Sequence, residues 1–161
     1  MILRPPTITK TDINLVVEAY EDWPSDEPVY PEDVRRWFGR YAGRDLAMID
    51  DKLVPLEKGL IGEVDGQPVG FIVYQKGWFS AKVYQIVVPL RLRGNGYGSA
   101  MWRAIWALLQ SEGVVVCDFD ALPGPVAELV NSGRFVKTGE GVGAATGLPV
   151  MKGRATMGME I

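Results

Sequence analysis

The sequence predicts an α/β (α+β) chain with a central mixed, mostly antiparallel sheet flanked by helices. Two helical patterns come first, a meander of strand patterns follows, and a strand, a glycine-rich loop, a helix and another strand come next. The unit from Val83 to Cys117 has the length and order of a crossover between two parallel strands. A chain of 161 residues fits one domain, so we predict a single domain over 1–161.

Two helices are predicted in the first part of the chain. From Ile8 to Tyr20, apolar residues recur at helical spacing, and Thr11 or Asp12 can cap the start. From Pro31 to Tyr41, a proline suited to a first turn is followed by two acidic residues and then by apolar residues at helical spacing. The stretch 21–28 between them is acidic and broken by prolines, which predicts a loop.

The middle of the chain has the pattern of an antiparallel meander. Gly59 to Val64 predicts a strand, Asp65-Gly66 a hairpin turn, and Pro68 to Gln75 the partner strand. Trp78 to Val88 then predicts one or two strands. Its last residues are continuously apolar, as expected of a central strand that is buried on both faces.

The clearest helix pattern runs from Ser99 to Glu112, with a wide apolar stripe and Gly113 as its stop. Val114 to Cys117 predicts a further buried strand. Three more elements and one glycine-rich loop are predicted after it: a short helix over Val126–Asn131, a strand over Arg134–Thr138, the loop Gly139–Gly153 and a strand over Ala155–Ile161.

Composition and charge exclude several classes of function. The net charge is −3 and the pI about 5.0, which argues against a nucleic-acid partner. The chain has no histidine and one cysteine, so we expect neither a His-based triad nor a zinc site. A lone cysteine suits a reducing compartment, and no apolar run has the length of a membrane span. We therefore expect a cytoplasmic protein without a membrane partner.

A glycine-rich loop lies between the buried strand and the strongest helix. Gly94, Gly96 and Gly98 alternate, so no side chain crowds the backbone and its amides can form an anion-binding nest. The positive end of the helix that starts near Ser99 faces the same place, and Arg93 adds a bidentate cation. The pattern predicts a cradle for a diphosphate; the alternative is a tight strand-to-helix connection.

Three known phosphate loops can be compared with this one. The dinucleotide fingerprint Gly-x-Gly-x-x-Gly would need glycine where Ser99 stands, and the P-loop triplet Gly-Lys-Ser/Thr is absent. The run from Arg93 to Gly98 fits Arg-x-x-Gly-x-Gly, and with Val88-Pro89 before it and a helix after it the chain resembles the GNAT acetyltransferase family. Asn131–Phe135 is similar to a loosened form of the late Gly-Phe element of that family.

The resemblance implies transfer of an acetyl group from acetyl-coenzyme A to an amine on a small molecule or a protein. The backbone of Val87 and Val88 would pair with the pantetheine arm, and their strand would splay from the one that begins at Val114. Many relatives pair as dimers, which leaves a homodimer open. The resemblance assigns the pyrophosphate to the loop and helix start: Arg93, Gly94, Asn95, Gly96, Tyr97, Gly98 and Ser99.

The acid and base that the family often uses are not visible in this sequence. The central strand carries no carboxylate, and the tyrosine expected before the Gly-Phe element is missing. Asp118 and Asp120 beside the expected cleft are the first substitutes, and Tyr84 could donate a proton. Glu63 is a further candidate, whereas Cys117 is expected to be a small core residue.

The residues that would bind the acceptor are harder to predict from the sequence. Acidic residues such as Glu21 and Asp22 could attract a cationic acceptor, or could simply form a solvated loop. Core packing is the expected role of Trp37 and Phe38 in the second helix. Two rival functions stay open: a GNAT-fold module that binds coenzyme A without transfer, and DNA modification of the phage Mom type, against which the acidic pI and the absence of histidine count.

Overall fold

The computed structural model describes residues 1–23, 27–41, 46–121, 135–142 and 149–157. A 3₁₀ turn, Leu90–Leu92, precedes the third helix. In chain order the elements are β1 (Ile2–Arg4), α1 (Lys10–Ala19), α2 (Pro31–Tyr41), β2 (Leu46–Ile49), β3 (Lys52–Pro55), β4 (Glu57–Val64), β5 (Gln67–Lys76), β6 (Ser80–Val87), α3 (Tyr97–Ser111), β7 (Val116–Ala121), β8 (Val136–Val142) and β9 (Pro149–Thr156).

Seven of the described strands form one mixed sheet in the order β1-β4-β5-β6-β7-β9-β8, and β2 and β3 form a separate hairpin. Only the β6–β7 pair is parallel among them, and α3 is its crossover helix. The predicted fold class and the predicted crossover are therefore confirmed. The hairpin turn at Asp65 and Gly66 is also found, with both residues at positive φ.

One face of the sheet, here the α3 face, packs against α3. Met101, Trp102, Ile105 and Leu109 are nearly inaccessible and repeat at helical spacing, so one stripe of the helix enters the core. The stripe meets apolar strand residues such as Phe119, whose ring centroid lies 4.7 Å from that of Trp102. Burial of this stripe, more than helix propensity, holds α3 on the sheet.

The opposite face, here the α1/α2 face, carries the two N-terminal helices. Val16 of α1 and Phe38 of α2 pack against Ile61 and Phe71 of the sheet. The helices cover β4, β5 and the last part of β6, and in the described ranges this apolar cluster includes no residue of β7 or β9. On this face β7 carries Asp118 and Asp120, and their partners in β9 are Arg154 and Lys152.

Two strand glycines set the depth of α3 over the sheet. A Cβ at Gly62 would lie 2.8 Å from Met101 Sδ, and a Cβ at Gly70 would lie 2.5 Å from the same sulfur. The Gly70 position would also bring a Cβ within 2.8 Å of the Val87 carbonyl oxygen. The methionine thus fills the space that two side chains would need, close to the start of α3.

The start of α1 differs from the predicted one. The N-cap is Thr9, whose hydroxyl accepts from the Asp12 amide, and the helix begins at Lys10. Asp12, a predicted cap, is 1% exposed and instead accepts hydrogen bonds from Arg4 at 2.7 Å and from the amide of Thr7 at 2.9 Å. Residues able to cap recur along this short stretch of sequence, and of these Asp12 is engaged by Arg4 while Thr9 caps the helix.

Several other boundaries move by a few residues. Helix α3 starts at Tyr97, two residues before the predicted start, because Gly96 can serve as a left-handed N-cap. Strand β7 begins at Val116, so Val114 precedes it. Much of the predicted loop Gly139–Gly153 is strand in β8 and β9, and 143–148 lie outside the described residues.

The short strand β1 and the hairpin β2–β3 were not predicted. Each is three or four residues long, too short for a periodic pattern to show. The predicted helix Val126–Asn131 lies outside the described residues. In the described ranges, none of the helices combines the length and apolar character needed to span a bilayer.

Candidate functional site

The loop between β6 and α3 presents free backbone amides. Gly94 and Gly96 have φ values of 81° and 78°, which glycine adopts without strain. The first hydrogen bond into the helix runs from the Ala100 amide to the Gly96 carbonyl, and no side chain caps the start of α3. The amides of its first turn, from Tyr97 to Ser99, therefore have no partner within the helix and point out of its positive end.

The loop also has open space beside its glycines. A Cβ built at Gly94, Gly96 or Gly98 would meet no atom of the described residues within 4 Å. Gly98 does not have a positive φ, so neither backbone conformation nor crowding by the described chain requires glycine there. A ligand backbone or phosphate that approaches the amides closely would require it.

Arg93 is engaged by the protein on both sides of its guanidinium. Its Nε donates to the Val88 carbonyl at 2.8 Å, and its two terminal nitrogens donate to the Asp22 carboxylate at 2.5 and 2.8 Å. The hydrogen bond from Arg93 lowers the pKa of Asp22. Asp22, predicted as a solvated residue or an attractor of cations, is thus the partner of the glycine-loop arginine Arg93.

A second ion pair lies beside the first. Arg91 Nε lies 2.5 Å from Glu18 Oε1, and its terminal nitrogen donates to the other oxygen at 3.2 Å. Asn95 closes the loop on itself, because its amide donates to the Leu92 carbonyl at 3.0 Å. Two arginines of the loop are therefore tied to α1 and the turn that follows it.

The sheet opens next to this loop. Strands β6 and β7 are paired from Ser80–Val83 to Val116–Phe119, and beyond those residues neither strand has the other as partner. The opening between Tyr84–Val87 and the end of β7 is here called the fork. Val87 packs on the α1/α2 face, while Val88 lies at the α3 face. Their backbone on the β7 side is the edge along which the pantetheine arm was predicted to pair.

A β-bulge in β6 marks the start of the fork. Val73 pairs with Gln85 and Tyr74 with Val83, which leaves Tyr84 as an extra residue. The bulge places Tyr84 and Gln85 on the same face of the sheet: Tyr84 packs against the α1/α2 cluster, and Gln85 accepts a hydrogen bond from Tyr20 of that cluster.

The three predicted acid–base candidates are on the α1/α2 side of the fork. Tyr84 donates to Gln75 Oε1 at 2.7 Å, and the Lys82 ammonium lies 5.0 Å from the centroid of its ring. The same ammonium lies 3.5 Å from Asp120 Oδ2, so Lys82 joins Tyr84 to Asp120. Asp118 is held separately by Arg154 at 2.7 and 3.3 Å.

The other two candidates are placed elsewhere. Glu63 lies at the β1 edge, where Arg4 Nε donates to it at 2.6 Å. Cys117 is fully buried in the α3-face core, and burial raises the pKa of its thiol to about 12, so it is a core residue as predicted. Asp118 and Asp120 lie inside β7 and not after it, because the strand extends to Ala121.

Three aromatic side chains pack together in the cluster on the α1/α2 face of the sheet. The Tyr20 ring packs edge-on against Trp23 and Trp37, with centroids 5.4 and 5.8 Å apart. Phe38 is buried as predicted, whereas Trp37 is only half-buried at the edge of the cluster. Burial raises the pKa of the Tyr20 hydroxyl far above its ordinary value.

Sequence reasoning missed Tyr20, Lys82 and Gln85 as site residues. A signal was present for one of them, because Gln85 interrupts an otherwise apolar strand end. Lys82 and Tyr20 carry no local signal, since their significance depends on partners brought together by the sheet. Asn131 to Arg134 of the predicted Gly-Phe element lie outside the described residues, and Phe135 is buried against Trp102 and Phe119.

The family model described as "Acetyltransferase (GNAT) family" matches residues 14–122. Three solved structures have a similar fold. The ribosomal-protein-alanine N-acetyltransferase from Brucella melitensis is 19% identical with a TM-score of 0.67, over 98% of this chain and 100% of that one. An N-acetyltransferase from Staphylococcus aureus Mu50 is 16% identical with a TM-score of 0.67, over 96% and 97%.

The third structure is an acetyltransferase from Thermus thermophilus, which is 16% identical with a TM-score of 0.66 over 98% of both chains. No curated protein matches this chain in sequence. Identities of this size support the fold and leave the acceptor open.

Proposed function

Because this chain belongs to the GNAT acetyltransferase family, we propose that it transfers an acetyl group from acetyl-coenzyme A to an amine on a small-molecule or protein acceptor. The observation that carries the proposal is the uncapped start of α3 beside the open space at Gly94, Gly96 and Gly98. Such a helix start, free of side chains, is suited to a phosphate group.

The residues of the loop fit the pyrophosphate of coenzyme A. The amides from Gly94 to Ser99 would donate to its oxygens, and Arg93 would add charge once its contact with Asp22 is exchanged. The free edge at Val87 and Val88 would hold the pantetheine amides in the manner of an added strand. Coenzyme A supplies the thioester that makes the acetyl group transferable.

The chain's own residues would move the protons. Asp120 is our candidate to accept the proton of the attacking amine, since it is the first residue of β7 beyond the part that pairs with β6. Tyr84 is our candidate proton donor, with its hydroxyl oriented by Gln75. Asp118 is bound bidentately to Arg154, so we assign it a weaker claim to a catalytic role.

A matched pair of glycine substitutions tests the cofactor site. Gly98 and Gly139 both have open space and lack a positive φ, but only Gly98 lies in the loop. We expect Gly98→Asp to weaken binding of acetyl-coenzyme A at least tenfold by charge repulsion, while Gly139→Asp binds like wild type. Calorimetric titration measures both affinities, and thermal melts confirm that both variants fold.

Wild-type protein that does not bind acetyl-coenzyme A would overturn the proposal. Loss of binding in both aspartate variants would mean that the loop is not the site. With binding established, a screen of amine acceptors for free thiol release measures transfer.

One observation favours a second function, in which the protein binds coenzyme A without acetyl transfer. Both predicted carboxylates are in ion pairs, Asp118 with Arg154 and Asp120 with Lys82. Neither is therefore an unengaged carboxylate ready to accept a proton from an amine. Tight binding with no turnover across the amine panel would support this alternative.

We further propose a cytoplasmic setting, which suits the single thiol. Cys117 is buried and unpaired, as expected of a protein that folds in a reducing compartment. Cell fractionation tests the location, and sedimentation decides between a monomer and a homodimer.

A further inference from the structure

Gln85 is the polar side chain at the fork that the proposed chemistry has not used. It follows the bulge in β6, in the part of the strand that β7 does not pair with. Its side chain lies on the α1/α2 face, where the Tyr20 hydroxyl donates to its Oε1.

This hydrogen bond fixes the orientation of the amide. Tyr20 is 8% exposed, its ring is held by Trp23 and Trp37, and its hydroxyl donates to Gln85 Oε1. With Oε1 facing Tyr20, the Nε2 amino group of Gln85 must face away from it.

The Gln85 amino group is accessible and has no hydrogen-bond partner among the described residues. Two side-chain nitrogens in the described ranges are both fully buried and unpaired, and they belong to Trp102 and Trp106. Gln85 Nε2 is not one of them, and no contact of its own is found in the described ranges. It therefore has two N–H donors beside the fork that no described residue accepts.

The face of the sheet indicates which reactant would meet these donors. Helix α3 and its anion-binding start lie against the α3 face, whereas Gln85 is on the α1/α2 face. A donor substrate held by the loop would enter the fork in the plane of the sheet or from the α3 side. The α1/α2 side is then left to the acceptor.

We propose that Gln85 selects amine acceptors that carry a carbonyl oxygen close to the amino group, with Tyr20 as its positioning residue. This inference rests on the proposed acetyl transfer. An amide amino group only donates, so it binds an oxygen and not the ammonium of the acceptor. The cations nearby, Lys82 and Arg154, are already near carboxylates, which favours a neutral oxygen over an anionic group. An acceptor without that oxygen would leave the fixed donors unpaired when it displaces water.

Paired acceptors test the proposal. Each pair consists of an α-amino amide and the amine that lacks its carbonyl, such as phenylalaninamide and 2-phenylethylamine. We expect wild-type kcat/KM to favour the amide of a pair at least tenfold, and Gln85→Leu to bring the ratio near one. Comparing ratios between the two proteins cancels the different basicities of the two amines.

Tyr20→Phe tests the positioning role and keeps the ring that packs in the core. We expect the ratio to fall, mainly through a higher KM for the carbonyl-bearing acceptor. Tyr41→Phe is the matched control, because Tyr41 is another buried tyrosine of the same cluster and is not the residue that donates to Gln85. It should retain the wild-type ratio.

The outcomes separate the two proposals. An inert wild-type protein overturns acetyl transfer itself and the role of Gln85 with it. An active wild type whose ratio is unchanged in a folded Gln85→Leu variant overturns only the assignment of Gln85.

Discussion

The two faces of the sheet are built in different ways. The α3 face is closed by apolar side chains around Trp102, which is 2% exposed and touches two phenylalanine rings, Phe119 and Phe135. The α1/α2 face combines an apolar cluster with polar pairs that cross long distances in sequence, such as Tyr20 with Gln85 and Asp22 with Arg93.

The two faces are therefore expected to have different roles, one in stability and the other in ligand binding. Close packing on the α3 face holds the start of α3, and hence the amides of its first turn, in one place. The polar pairs of the α1/α2 face are individually weak, and several are accessible to solvent, so a ligand can exchange with them. We therefore expect substitutions in the apolar core of the α3 face to act on stability, and substitutions in the solvent-accessible polar pairs of the other face to act on binding.

The largest effect is expected from Trp102→Ala. Removing this indole should lower the free energy of unfolding by about 3–5 kcal/mol, because it leaves a cavity between α3 and the sheet. Trp78→Ala is the matched control: Trp78 is 69% exposed, so its loss should change stability by less than about 0.5 kcal/mol. Urea unfolding measures both values, and equal losses would contradict the assignment of the core.

Asp12→Asn should have an intermediate effect of about 3 kcal/mol, because it leaves Arg4 without its buried partner. Burial alone would raise the pKa of Asp12, but hydrogen bonds from Arg4 and Thr7 outweigh it and hold that pKa below the ordinary value of 3.8. The ionised form is therefore favoured by folding, and its contribution is present above that value and lost as the pH falls through the lower folded pKa.

The pH dependence of the unfolding free energy tests whether folding lowers the pKa of Asp12. The difference in unfolding free energy between wild type and Asp12→Asn should be constant near neutral pH and should shrink in acid below 3.8. The exposed turn residue Asp65 provides the control variant Asp65→Asn, which should follow wild type throughout. A gap that grows in acid would show that the pKa of Asp12 is raised.

The smallest effect is expected from Asp22→Asn. Its pair with Arg93 is exposed, so the change should cost less than about 1 kcal/mol of stability. Freeing the arginine for a diphosphate should tighten coenzyme A binding by up to about fivefold, as measured by calorimetry. Glu18→Gln, which releases the neighbouring Arg91, is the control. Weaker binding by Asp22→Asn would mean that the carboxylate positions Arg93 for the ligand.

The sequence was sufficient for features that depend on local patterns. The parallel crossover around α3 and the hairpin at Asp65 were predicted because apolar periodicity and turn residues are read over a few neighbours. The loop from Arg93 to Gly98 was recognised for the same reason, although its assignment to a cofactor remains a prediction. The assignment of residues 1–161 to a single domain also remains a prediction.

The features that escaped prediction depend on side-chain and strand pairings that leave no periodic pattern in the sequence. Asp12 is not a cap because Arg4 and Thr7 reach it, and Asp22 meets Arg93 only after the sheet has formed. The bulge at Tyr84 is a matter of register, and register is set by both strands together. Such pairings cannot be predicted from the periodicity of a single sequence.

Gly62 and Gly70 have a consequence for how this chain can change. Both lie inside strands, where glycine is a poor choice because it leaves nothing to pack and loses more conformational freedom than any other residue. The strands accept that local disadvantage so that Met101, one turn into α3, can rest against bare backbone. The position of the amides at the start of α3 is therefore specified on β4 and β5, far from the glycine loop in sequence. A variant with an intact loop and a side chain at either strand position would keep its recognisable motif and hold it at the wrong depth.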